Sequence, residues 1–425
     1  PRHDPMAALR QRDFQFFAGS RFFSATGMTM LQAVLAWQVY EISGSALQLG
    51  LLGLARFAPS LGLSLVGGAV ADTYDRRAIV LASQSVPLAC SAVLGIASAS
   101  GGAGLGLIYG LVLVIALAAA FENPARQALL PSLVAPPTFA NAVTVNSTFQ
   151  QLGFVTGPAL GGLMIAWAGV EGAYALHVAV LALAIGTMFF VRPRARDGKP
   201  REVSLAAIRE GISFVRQRPV LWGVMSLDMF AVVFGGAVAL LPIYAEDILG
   251  VGSLGYGLLL ASFEVGAFTM ALSLLFLPPI ERTGRALLIT VAIFGLMTIV
   301  FGLSRSFVLS LAAYMVIGMA DQISVVMRQT TIQLATPDEL RGRVSSVNMV
   351  FIGASNQVGA MESGFVAALT SATFAVVSGG IGCLAVVSYI AAKVPALREY
   401  RIPRHFSSEA EARAEAEAAG SALPP

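Results

Sequence analysis

Charge is what this chain has least of. Only 12% of its 425 residues are Asp, Glu, Lys or Arg, about half the usual share of a soluble protein. Lysine is nearly absent, with Lys199 and Lys393 the only two, which points to a GC-rich genome and says little about mechanism. Cysteine is as scarce: Cys90 and Cys383 lie far apart, each inside an apolar segment, and read as buried small hydrophobes rather than a disulfide or metal pair. No GxxxxGK[ST] run, metal-ligand cluster, cofactor motif or extramembrane catalytic domain is present, which argues against an ATP-driven pump or an enzyme. What fills the chain instead is apolar: 56% hydrophobic residues and a mean hydropathy of +0.76. Such a chain is embedded in a lipid bilayer.

A helix needs roughly 20 apolar residues to cross a bilayer core. Twelve segments meet that need, at about 14–40, 47–71, 78–98, 105–124, 140–168, 172–191, 220–245, 254–277, 286–303, 307–327, 345–369 and 372–393. The fold expected is an all-α integral membrane protein with twelve transmembrane helices. No cleavable signal is visible, and the chain opens at Pro1 without an initiator Met, as if trimmed or numbered from within. With the amino terminus inside, inner loops and tails hold 24 of the 27 Lys+Arg, outer loops hold only Arg305, and Arg21 and Arg56 fall within spans. That asymmetry places both termini in the cytoplasm of a cell (inner) membrane protein. The pI near 9.0 is then topology, not nucleic-acid binding.

Residues 1–192 form one six-span half and 220–394 the other. Between them, 193–219 is a basic cytoplasmic linker, and SLAAIREGISFV within it sets Leu205, Ile208, Ile212 and Val215 on one face behind a Ser204 cap. That pattern reads as a short helix lying on the inner membrane surface. The tail, 395–425, reads as disordered. The halves are related in sequence: ARQALLPSLVAPPTFANAVTVN aligns without a gap, at an offset of 202, with MRQTTIQLATPDELRGRVSSVN. Arg126 falls on Arg328, Asn146 on Asn348, Gly157 on Gly359 and Gly162 on Gly364. Two pseudo-symmetric six-helix halves imply a central path between them.

Three features carry the functional reading. The fifth span holds GFVTGPALGG, with Gly153, Gly157, Pro158, Gly161 and Gly162. Glycines at this spacing let helices approach closely in lipid, and packing alone explains them about as well as function does. The motif is intact in one half only, which suggests an asymmetric contact between halves. The turn after the second span, GGAVADTYDRRAIV, crowds Asp72, Asp75, Arg76 and Arg77 together, with Asp72 at a helix carboxyl end where the macrodipole disfavours it. Arg126, at the mouth of the fourth span, is one candidate partner for it. Finally, Asp228, Glu264, Asp321 and Glu362 fall at membrane depth, as do Arg56 and, near enough the inner end to snorkel, Arg21. Glu264 is the repeat counterpart of Phe57, beside Arg56, so the two charges sit at nearly symmetry-related positions. His177, in the sixth span, reads as a packed residue more readily than as a proton relay.

These residues resemble the major facilitator superfamily over essentially the whole chain. The turn at Gly68, Asp72, Arg76 and Arg77 is similar to that family's signature after span two, G-x-x-x-D-[RK]-x-G-[RK]-[RK], departing at Thr73 and Asp75. The Asp75 departure and PDELRGRV (337–344) resemble the branch holding the enterobactin exporter and related bacterial efflux proteins. GFVTGPALGG is similar to the family's antiporter signature G-x-x-x-G-P-x-x-G-G. The resemblance implies alternating access, with the first, fourth, seventh and tenth spans lining a cavity and the second, fifth, eighth and eleventh forming the interface between halves. It implies that Asp72 helps lock the inner side, near the start of span eleven at Ser345.

The expected function is proton-coupled antiport, exporting an amphipathic small molecule (a drug or a siderophore), with protons and the lipid bilayer as its other partners and a monomer as the working unit. The carboxylates rank Asp228, Glu264, Asp321, Glu362 as coupling candidates. Phe14, Phe16, Phe17, Phe22 and Phe23, with Phe230 and Phe234, are candidates for an aromatic cavity, although lipid-facing phenylalanine is commoner. An uptake symporter or facilitator of the same fold, or a non-transporting scaffold or sensor, are the competing readings. Buried charges argue against the scaffold, because they are costly where nothing moves.

Overall fold

The computed structural model describes residues 7–192, 212–277, 280 and 282–401, without the side chains of 57, 58, 60–69, 71, 72, 136, 275, 338, 339, 341, 342, 346, 349 and 350. Helices account for nearly all of it, and no strand occurs among the described residues. In chain order they are α1 (Arg12–Ser43), α2 (Ala46–Thr73), α3 (Arg76–Ala99), α4 (Leu105–Leu129) and α5 (Phe139–Phe189), then α6 (Pro219–Ile248), α7 (Gly252–Phe276), α8 (Thr283–Leu303), α9 (Phe307–Ala335), α10 (Asp338–Leu369) and α11 (Ala372–Lys393). Eight of them are long and apolar enough to cross a membrane, by length and composition. Backbone groups in lipid must be satisfied within the segment, which is why an apolar chain of this length resolves into helices.

Boundaries differ from the hydropathy reading in one direction. The α4, α9 and α10 helices run about one to two turns past the apolar spans at the arginine-rich end of the bundle. Hydropathy marks where lipid stops, whereas the hydrogen-bond ladder continues as long as polar residues can carry it. The fifth and sixth spans are not separated by a loop: α5 runs through both, and the chain turns at Gly169 alone, whose φ of 72° a side chain would resist. The expected seventh span is interrupted. Pro219–Phe234 is regular, Gly235 and Gly236 break the ladder, and a 3-10 turn (Ala237–Leu240) leads through Pro242 to a π-turn at Tyr244–Ile248. The reason lies in packing: a Cβ on Gly236 would stand 2.7 Å from both the Gly359 carbonyl and the Ser363 hydroxyl of α10. Of the linker helix expected over 204–215, only the end is described; Val215 is buried there and Ile212 exposed. Cys90 (α3) and Cys383 (α11) are both buried and unpaired.

Neighbours recur along the chain. The α1 helix lies along α5, α2 on α4, and α3 on α4 and α5; likewise α6 lies along α10 and α11, α7 on α9, and α8 on α9 and α11. Two further contacts join these sets, α5 on α7 and α2 on α10. Glycine faces glycine at both. A Cβ on Gly162 would lie 2.7 Å from the Gly257 Cα, and one on Gly364 would lie 2.7 Å from the Gly50 Cα. Lipid offers no hydrophobic drive for helices to associate, so close backbone approach is the main source of attraction.

Replacing Gly257 or Gly364 by Val should therefore lower the detergent-solubilised melting temperature and the monodisperse fraction on size exclusion. Gly110→Ala and Gly186→Ala, where an added Cβ meets nothing within 4 Å, should leave both unchanged.

Candidate functional site

A cavity of about 520 Å³ lies between the two sets of helices. The α2 helix contributes Leu52, Gly53 and Arg56, α1 contributes Thr29 and Gln32, and α5 contributes Phe154 and Pro158. From the other set come Gly235 and Gly236 of α6, Tyr256, Phe263 and Glu264 of α7, Phe294 of α8, Tyr314 and Asp321 of α9, and Asn356 and Gln357 of α10. Breaking α6 at its two glycines is what lets backbone, rather than side chain, form part of the wall. The aromatic lining is thus Phe154, Phe263, Phe294, Tyr256 and Tyr314, not the expected phenylalanines. Phe14 and Phe17 are buried in a separate cluster with Ala125 and Met188, and Phe230 and Phe234 stack on each other away from the lining.

Charges divide between the walls. Arg56 donates to the Gln32 carbonyl at 3.2 Å on one side. Glu264 and Asp321 face the same space from α7 and α9, and Gln151 of α5 donates to Glu264 Oε2 at 2.8 Å. This hydrogen bond joins α5 to α7 at the level where sequence pairs Glu264 with the position beside Arg56. Gln151 carried no more signal in the sequence than its place beside Gln150, ahead of the glycine motif.

Asp228 belongs elsewhere. Its carboxylate forms an ion pair with Arg328 of α9; the two residues are 8% and 3% exposed, and neither lines the cavity. Arg328 was assigned to an inner loop by hydropathy, and α9 carries it inside the bundle instead. Its repeat counterpart Arg126 is also inside, and its partner is Glu122 at 2.8 Å, one turn earlier on α4. Ser24 and Gln84 donate to the same Glu122 oxygen at 3.3 and 3.1 Å. Arg21 is within electrostatic reach of Glu122 and Arg126, so it is part of this cluster rather than a snorkelling anchor. Glu362 is half-buried on α10 beside Ser363 and does not line the cavity.

In the turn between α2 and α3, the Asp75 carboxylate accepts from the Arg77 amide at 2.9 Å and caps α3, which explains an acid where glycine is usual. Arg76 donates to the Ala128 carbonyl at 3.1 Å, and Arg77 donates to the Phe189 carbonyl while stacking on its ring. Both arginines therefore tie α3 to the ends of α4 and α5. Gly68 falls within α2, and the Asp72 side chain lies outside the described residues.

The glycine motif splits into two jobs. Gly153 and Gly157 face α1, where added Cβ atoms would stand 2.6 Å from the Ala25 Cβ and 2.5 Å from the Thr26 carbonyl. Gly161 is looser on the same helix. Only Gly162, with the Pro158 carbonyl beside it, meets α7. The echo in α10 repeats the arrangement: Gly359 packs on Val232 and Val233 of α6 and Gly364 on Gly50 of α2. Shared packing thus accounts for Gly157 and Gly162 in both sets, which corrects the expectation that the motif marks one asymmetric contact.

At the end of the bundle opposite the arginines, the cavity is capped. Tyr40 of α1 donates to Asp247 in the last turn of α6, Trp37 packs on Tyr256 with ring centroids 5.6 Å apart, and the Tyr256 hydroxyl donates to the Ala33 carbonyl at 3.3 Å.

A helical bundle around a charged internal cavity, with glycine-lined contacts on either side, is the architecture of a transporter of the major facilitator class, a multi-pass membrane protein and not an enzyme. Within that class the chain belongs to the family described as transmembrane secretion effector, whose profile matches residues 3–419. It is 25% identical over 389 residues to the enterobactin exporter EntS of Escherichia coli O1:K1 / APEC, covering 90% of this chain and 92% of that one. The EntS of Escherichia coli O139:H28 (strain E24377A / ETEC) matches to the same extent. In fold the chain is similar to a bacterial homologue of the human lysosomal transporter Spinster, inward-facing and occupied, with a TM-score of 0.69, 17% identity and coverage of 94% and 99%. It is also similar to a POT family transporter in complex with 5-aminolevulinic acid, with a TM-score of 0.70, 12% identity and coverage of 91% and 97%.

Removing one partner of a buried ion pair costs about 3–5 kcal/mol, because the other charge is left uncompensated. Asp228→Asn should accordingly lower thermal stability strongly, and pairing it with Arg328→Met should restore most of the loss. Gly157→Ala should behave as an overpacked variant with reduced folded yield. Both are read from melting curves of purified protein.

Proposed function

We propose that this protein is a proton-coupled antiporter that exports an amphipathic small molecule by alternating access. Its twelve transmembrane helices would form two pseudo-symmetric six-helix halves, with the two arms of α5 counted as the fifth and sixth spans. The recurring helix contacts support the two-half reading, and the arginine asymmetry supports placing both termini and the linker in the cytoplasm. An inner-membrane location follows from the same asymmetry.

The observation that carries the proposal is the sharing of one cavity by Arg56, from the first half, and Glu264 and Asp321, from the second. A carboxylate in such a place can hold a proton when the cavity faces one side and lose it when the cavity faces the other. The cap at Tyr40–Asp247 and Trp37–Tyr256 supports assigning the described state as closed to the outside and accessible from the cytoplasm. Five aromatic rings beside three amides and three charges suit a substrate with both apolar and polar faces, of the drug or siderophore kind. The likeness to an enterobactin exporter supports the siderophore and the export direction. Glu264 and Asp321 replace Asp228 as the leading coupling residues, since Asp228 is committed to Arg328.

In liposomes with an imposed proton gradient, screened with dyes, antibiotics and catecholate siderophores, the wild-type protein should accumulate substrate against its gradient. Glu264→Gln and Asp321→Asn should each reduce gradient-driven transport at least tenfold while retaining the wild-type melting temperature. Near-normal transport by both variants would refute the assignment, and substrate moving with the proton rather than against it would favour the uptake symporter.

A further inference from the structure

The buried histidine has no part in the central cavity, and its surroundings are unusual. His177 lies on the second arm of α5, about two turns past the Gly169 kink, with 0% exposure. Neither ring nitrogen has a hydrogen-bond partner. A neutral imidazole carries one donor and one acceptor, and each left unmet in an interior costs roughly 1–3 kcal/mol. Packing does not demand the residue. At the repeat counterpart, 202 positions on, Gly379 closes directly on the Phe234 carbonyl of α6 with no side chain at all.

The helices around the ring present polar groups toward it. On α1 the ring rests against Gly27, where an added Cβ would be 3.5 Å from Cδ2 and Nε2. Gly27 shares its face with Ser24 and Ser20. Ser24, the residue hydrogen-bonded to Glu122, is three residues from Gly27, about 4.5 Å of helical rise. On α3, Gly95 packs on Tyr174, with an added Cβ 3.2 Å from the tyrosine Cβ. One turn further on, Ser91 comes level with His177, and its hydroxyl is fully buried without a partner, as is that of Ser20. Toward the capped end, the Tyr174 hydroxyl donates to Gln38 Oε1 at 2.5 Å and Gln38 Nε2 donates to Ser98 at 2.8 Å. From Gln38 to Ser20 this polar column follows α1 for about 27 Å, close to the roughly 30 Å of a hydrocarbon core. None of its members lines the central cavity.

We propose that this column is a hydrated proton route through the first half, separate from the substrate path, and that His177 is its proton-holding residue. The proposal rests on the proton-coupled reading above. Buried polar side chains without protein partners are satisfied by internal water, about three hydrogen bonds to each molecule. The ring accepts a proton from column water on its bare nitrogen. It returns to neutral by releasing the proton on its other nitrogen to water on the opposite side. One proton advances and no other atom is exchanged. The charged groups on the helices packed around the ring are Glu122 and Arg126 of α4, which are paired with each other, and Arg21 of α1, six residues from Gly27 toward the arginine-rich end; near the level of the ring α3 and the α5 arm carry neutral Gln84, Ser91 and Tyr174.

The chain has three histidines, His3, His177 and His405, so 15N-histidine NMR of the full-length protein in lipid isolates the buried ring, with His177→Leu as the blank. The resonance should move from neutral to imidazolium as the pH falls; a ring locked in one neutral tautomer at every pH overturns the proposal. In proteoliposomes, using whichever dye or catecholate siderophore the wild type exchanges, His177→Leu and Ser91→Ala should keep exchange without a gradient within twofold. Gradient-driven transport by His177→Leu should fall at least tenfold. Equal loss of both activities means a structural role, and unchanged driven transport means no role; either result overturns the proposal. A wild type that ignores the gradient while His177 titrates sinks the antiport reading and leaves the proton site standing. A neutral ring in a wild type that responds to the gradient sinks the proton site alone.

Discussion

Everything in this bundle depends on how closely helices can approach in a solvent as apolar as their own side chains. Two crossings join the sets of helices, α5 on α7 and α2 on α10, and each is made by a pair of glycines with their backbones in direct contact. Because lipid supplies no hydrophobic drive, van der Waals contact over such surfaces has to hold the assembly together. Large side chains at Gly162, Gly257, Gly50 or Gly364 would separate the sets and open the cavity wall. At these four residues the crossings are backbone against backbone, with no side chain between them.

The second constraint is the cost of charge. A lone guanidinium in a helix bundle is expensive, and this chain compensates two of them by different routes. Arg328 takes its carboxylate from across the bundle, Asp228 of α6, whereas Arg126 takes Glu122 from its own helix. Ser324 stands at the repeat position of Glu122, and α1 brings Ser24 and Arg21 but no acid to the Arg126 cluster. Each set of helices thus holds an acid for its arginine, one drawn from another helix and one from the arginine's own. Charge balance survived where sequence identity did not, so a search for matched acids between the repeats would miss both pairs.

Much of the architecture was legible in the sequence. The apolar runs placed the helices, the arginines their ends, and the repeat register of 202 tied Gly157 to Gly359 and Gly162 to Gly364, equivalences that packing reproduces. The limits have physical causes. Hydropathy cannot see that Arg328 continues α9, because a paired charge is as acceptable inside as an apolar residue is. Ranking carboxylates by depth put Asp228 first, since depth says nothing about a partner on another helix. The break in α6 at Gly235–Gly236 falls inside a span expected to be continuous, because its cause is the approach of α10, which is a tertiary fact. The amides of the cavity, Gln32, Asn356 and Gln357, have no local pattern and are identified only by the space they share.

The differences between the repeats are more informative than the likenesses. Where both halves hold glycine the reason is packing, as at Gly157 and Gly359, and a functional role for the motif is not required there. Where the halves part, packing no longer supplies the reason. Glu264 answers to Phe57, and His177 to Gly379. In both comparisons one half does without any polar group at the position, so the polar group in the other is not needed to build the helix bundle. The cost of burying it must be offset by something the bundle does. These two departures fall in two separate polar regions, one between the two sets of helices and one inside the first set.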